Sequence, residues 1–143
     1  MTLRTWFRLH AAVTVPFAAP MVIAPRWIID LLTRQDPPPL AVDLSRLVGA
    51  AYFLIAMLTW VASSRFSTID QVRLARVFCV YETIGFLVGL TIHFDTGGDI
   101  GRWITVGFFG VFALGYLWFG FMRPAARRGD RRSAVQGSSP GNR

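Results

Sequence analysis

Lysine is absent from this chain, and glutamate and cysteine occur once each. A single cysteine, Cys79, has no intrachain partner, so neither a disulfide nor a cysteine metal cluster is indicated. None of HExxH, CxxC or a phosphate-binding glycine loop occurs, which argues against the common metalloprotease, redox and nucleotide-binding chemistries. With arginine as the sole strong base, codon usage hints at a GC-rich bacterial genome. What fills the space is apolar. A chain of 143 residues that is 53% hydrophobic, with mean hydropathy +0.45, carries more apolar surface than one soluble core of that size buries. A bilayer is the solvent that suits it.

Four apolar segments approach the roughly 20 residues that cross a hydrocarbon layer: 9–29, 47–62, 77–94 and 103–122. The expected fold is all-α, a polytopic four-helix transmembrane domain over 1–123 followed by a basic flexible tail over 124–143. The second segment is short and should borrow flanking residues. Eleven arginines, including Arg4, Arg8, Arg65, Arg73, Arg76 and Arg123, fall at the two ends and in the middle loop, against four in the other two loops. The positive-inside rule then places both termini in the cytoplasm, in a bacterial inner membrane. It also accounts for the pI near 11.2 without nucleic acid as a partner. In the tail, Arg127, Arg128, Arg131 and Arg132 form a cluster suited to anionic lipid at about 1 kcal/mol each. Arg4 and Arg8 before an apolar run also fit a signal peptide, but Pro16, Pro20 and the continuation to Ile29 favour a retained helix.

Helix one carries Pro16, Pro20 and Pro25 and should be kinked. Ala12, Pro16, Pro20 and Ala24 recur every fourth residue, a stripe for close helix packing. Trp27 to Leu32 reads as an amphipathic turn at the outer headgroups, ended by Pro37, Pro38 and Pro39. Asp43, Asp70 and Asp99 each stand three residues before an arginine, which reads as helix capping.

Glu82 is the residue that demands an explanation, because a carboxyl inside an apolar run is expensive and normally has a partner or a task. Projection at 100° per residue places Ala75, Phe78, Glu82, Gly85, Gly89 and His93 on one face, and Gly85 with Gly89 makes a GxxxG contact motif. Candidate structural partners for Glu82 are Tyr52, Tyr81, Trp60, a threonine or Arg8. The functional alternative is a proton or cation site with His93 as a second intramembrane polar group, and a third reading is contact with a partner subunit. His10 and His93 lie near opposite ends of their helices, which argues against a shared bis-histidine haem; each alone could ligate a separate pigment, but the favoured reading of both is interfacial. Phe108, Phe109, Phe112 and Trp118 are candidate contacts for lipid, a quinone, a pigment or a neighbouring subunit, with lipid the favoured reading for the three phenylalanines. No cofactor is required by the sequence. The four-span size is similar to that of the small multidrug transporters, but their membrane glutamate lies in the first helix, so no residue is carried over. The expected function is therefore that of a non-enzymatic accessory, assembly or structural subunit of a larger membrane complex, photosynthetic or respiratory. The alternative is a small homo-oligomeric proton-coupled transporter or lipophilic-ligand binder using Glu82.

Overall fold

The computed structural model describes residues 1–33, 36–95 and 100–123. Among them every regular element is helical: α1 (Leu3–Ile23), α2 (Pro25–Thr33), α3 (Pro39–Arg65), α4 (Thr68–Asp95) and α5 (Ile100–Leu117), the last widening into a π-helical turn over Trp118–Met122. Four of the helices are long and apolar enough to cross a membrane. Of the four expected spans, only the fourth, 103–122, keeps its bounds; the tail over 124–143, with Arg127, Arg128, Arg131 and Arg132, lies outside the described residues.

Local chemistry explains the boundaries. The Thr2 hydroxyl accepts from the Thr5 amide, so α1 begins at Leu3, six residues earlier than its hydropathy suggests. A residue before proline is driven out of the helical region. Ala24 accordingly takes φ −135°, ψ 58°, and Pro25 restarts the chain as α2. The expected single helix over 9–29 is thus divided, with α2 holding Ile28 inward while Trp27 and Leu31 stay exposed. Pro39 at the first position opens α3, which puts Asp43 inside the helix beside Arg46 and not at its cap. At α4 the cap is Ser67: its hydroxyl accepts from the Asp70 amide and donates to the Asp70 carboxylate. Asp99 lies outside the described residues.

The direction of packing can be read from residue pairs. Gly49, early in α3, meets Ala18, Met21 and Val22, late in α1, so these helices run antiparallel. Contacts Gly85 to Phe109, Gly89 to Val106 and Arg76 to Gly120 make α4 and α5 antiparallel as well. Large side chains join the two pairs. Phe7 packs on Phe78 and His10 lies beside Glu82 of α4, whereas Phe7 packs on Tyr116 and Phe17 on Phe108 of α5, so α1 is parallel to α4 and antiparallel to α5. The Arg123 guanidinium donates to the Met1 carbonyl, which brings the two ends of the helical region together.

Polarity is distributed the reverse of a water-soluble fold. Leu54, Met57, Val77, Ile84, Leu87 and Leu114 are exposed, whereas His10, Thr14, Thr59, Ser63, Gln71 and Glu82 are buried. Gln71 donates its amide to the carbonyls of Ala62 and Phe66, satisfying the end of α3 where water does not reach. Arg76 does the same for the π-helical turn, its Nε donating to the Gly120 carbonyl at 3.0 Å while the guanidinium lies over Phe121. Arg76→Gln should therefore release the last turn: amide exchange at 118–122 is expected to speed up while the middle of α4 is unchanged, at a stability loss of about 1 kcal/mol. Unchanged exchange there would refute the assignment.

Candidate functional site: a buried acid, imidazole and phenol

Glu82 sits midway along α4, six residues and about 9 Å deeper than Arg76. The residue is fully buried. The group facing it is His10 of α1, whose Nε2 lies 3.3 Å from Oε1. On the other side of the ring, Nδ1 is 2.7 Å from the hydroxyl of Tyr116 on α5. Three helices thus each contribute one ionisable side chain to a single line, and His10 and Tyr116 are as fully enclosed as Glu82. Phe112 stacks on the imidazole with centroids 4.2 Å apart, Phe78 meets it edge-on, and Phe78 in turn stacks on Tyr116.

The two sides of the imidazole differ. Its contact with Tyr116 is a short hydrogen bond. The contact with Glu82 has the separation of an ion pair but not the direction of a hydrogen bond, so both carboxyl oxygens lack a donor among the described residues. When the Tyr116 hydroxyl donates to Nδ1, the neutral tautomer carries its hydrogen on Nε2, on the side of the acid, with the carboxyl out of line to accept it. A histidine held this way can accept a proton at one nitrogen and release one at the other.

Local sequence explains how the line is assembled. Phe7, His10, Ala11, Thr14 and Ala18 are the buried residues of α1, spaced as one helix face. Thr14 donates its hydroxyl back to the His10 carbonyl, hiding its own polarity. On α4, Ala75, Phe78, Glu82 and His93 are buried, with Gly85 and Gly89 half-buried between them. A Cβ on Gly85 would come 2.5 Å from the Phe109 ring and one on Gly89 would meet Val106 at 3.1 Å, so both glycines seat α5 against α4.

Other expected residues fall elsewhere. His10 is not interfacial: because α1 starts at Leu3, it lies about 10 Å inside the helix. His93 is about 16 Å further along α4 than Glu82 and packs on Trp103 with centroids 4.1 Å apart, so the two do not share a site. Among the structural partners considered for Glu82, Arg8 and Trp60 are exposed. Phe109 and Phe112 face inward and Phe108 is half-buried, which corrects their lipid-facing reading; Trp118 is exposed. The stripe of Ala12, Pro16 and Pro20 is displaced from the buried seam by one residue: Ala11 and Ala18 are buried, Pro20 is half-buried, and Ala12 and Pro16 line an open groove. His10 and Tyr116 were the residues that sequence reasoning missed. The signal was present, since Phe7, His10, Ala11, Thr14 and Ala18 put polar and small groups at core spacing where a lipid face would be uniformly large and apolar. Neither the family models, nor the curated proteins, nor the solved structures provide a match to this chain.

Proposed function

We propose that this protein is a non-enzymatic integral membrane component, an accessory or assembly subunit of a larger bacterial inner-membrane complex, with four crossings and both termini in the cytoplasm. The observation that carries the reading is the complete enclosure of Glu82, His10 and Tyr116, each at most 1% exposed. Groups that react with a substrate need access to it, whereas groups that hold helices in one register need enclosure. The apolar outward faces of α3, α4 and α5 provide the surface on which lipid and neighbouring subunits pack. Arginine distribution supports the orientation, and the contact between Arg123 and Met1 accords with two ends on one side.

Purification under native conditions tests this directly. The protein should co-migrate with a larger membrane assembly without crosslinking; migration as a lone dimer overturns the proposal. A second reading, proton-coupled transport, is favoured by the line of three ionisable groups. Glu82→Gln separates the two. A subunit should keep its place in the assembly and lose only thermal stability, while a carrier should lose pH-dependent proton flux in proteoliposomes.

A further inference from the structure

The groove beside α1 has a charged end. It lies between α1 and α3, encloses a cavity of about 480 Å3, and is lined by Ala12, Val15 and Pro16 on one wall and by Phe53, Met57 and Trp60 on the other. That is the volume of a single small-ligand site, open along its length and almost free of polar atoms. Helical register extends both walls. Arg8 precedes Ala12 by four residues and Val15 by seven, so it continues the same face of α1, and Arg4 lies one turn beyond. The antiparallel pairing of Gly49 with Ala18, Met21 and Val22 puts Arg65, the last residue of α3, level with Arg4. Arg4, Arg8 and Arg65 are exposed, and the ion pairs among the described residues all involve other side chains. Trp60 stands exposed near the mouth, where an indole suits the boundary between hydrocarbon and headgroups.

We propose that this groove holds one acyl chain of an anionic phospholipid, with the lipid phosphate on Arg8 and Arg4. The occupant follows from complementarity. An apolar trough closed at one end by exposed guanidinium groups matches a molecule with one long hydrocarbon limb and one anionic head, and arginine recognises phosphate through two parallel hydrogen bonds. The tertiary structure also explains why the alanine and proline stripe is not a helix seam: small side chains at 12 and 16 leave room for the chain.

The full-length protein in mild detergent is titrated with phosphatidylglycerol and with phosphatidylcholine of the same acyl chains, and retained lipid is counted by native mass spectrometry. Phosphatidylglycerol should be retained selectively, and Arg4→Gln with Arg8→Gln should weaken it roughly thirtyfold, the effect of two arginines near a lipid surface. Ala12→Phe, a change on the open groove wall, should abolish retention without altering unfolding in lipid-free detergent. Brominated acyl chains should quench the wild type more than Trp60→Phe. Equal retention of the two lipids, retention unaffected by the arginine changes, or full retention by Ala12→Phe would each overturn the proposal. Displacement of retained phosphatidylglycerol by glycerol phosphate alone would also overturn it, since the phosphate would then suffice without the groove.

Discussion

His10→Leu is expected to destabilise the folded protein by about 3 kcal/mol, measured by reversible unfolding in mixed micelles. The loss has two sources. The Glu82 carboxyl keeps its place in the interior but loses the imidazole 3.3 Å away, and the Tyr116 hydroxyl loses its acceptor at 2.7 Å. An interior polar group without a partner costs more than the pair gains over an apolar replacement. Removing both partners should therefore be milder than removing one: His10→Leu with Glu82→Leu is expected within about 1.5 kcal/mol of the parent. Tyr116→Phe should cost about 1 kcal/mol, since Nδ1 alone is left unpaired. Strict additivity of the His10 and Glu82 changes would show that the two side chains do not interact. The same cycle bears on function, because a line of groups kept for register can be replaced by apolar residues without loss of assembly, whereas a proton path cannot.

Gly85→Ala should loosen α4 from α5 by about 1–3 kcal/mol, although alanine is the better helix former. The added methyl would stand 2.5 Å from two atoms of the Phe109 ring, and that ring is packed against Phe108 and Tyr81, so it has little freedom to withdraw. Phe109→Leu in the same chain should restore most of the loss by shortening the obstacle. Gly107→Ala is the control, since nothing lies within 4 Å of its added methyl. It should fall within about 0.5 kcal/mol of the parent. Equal effects at 85 and 107 would mean that backbone freedom, not helix contact, accounts for the glycine.

Much of this organisation is legible from composition and spacing because lipid and helix geometry both act locally. Twenty apolar residues in a row admit few alternatives once backbone groups must bond within their own segment, and the face of α4 that carries Glu82 follows from 3.6 residues per turn. The boundaries are less legible. Hydropathy dates the start of α1 from Leu9, but the Thr2 cap recruits the polar first turn, and the same occurs at α3, where Pro39 begins a helix eight residues before its apolar stretch. A cap bond at α1 and a proline at the first position of α3 each outweigh the polarity of the residues that follow.

The identity of Glu82's partner is of a different kind. His10 and Glu82 are separated by 72 positions, and nothing in either segment names the other. Pairing required α1 to lie parallel to α4, with Phe7 against Phe78 setting the register that brings imidazole and carboxyl to the same depth. Likewise Phe109 and Phe112 read as lipid-facing rings until the absence of a Cβ at Gly85 draws α5 close and turns them inward. The amino-acid order by itself determined that there are four apolar helices, which face of α4 is polar and which loops are basic, because each depends on residues within a turn or two of one another. Only tertiary packing decided that an acid, an imidazole and a phenol meet, and that Ala12 and Pro16 border a groove, because those facts depend on how separate helices rotate and slide to bring their bulky and small side chains together.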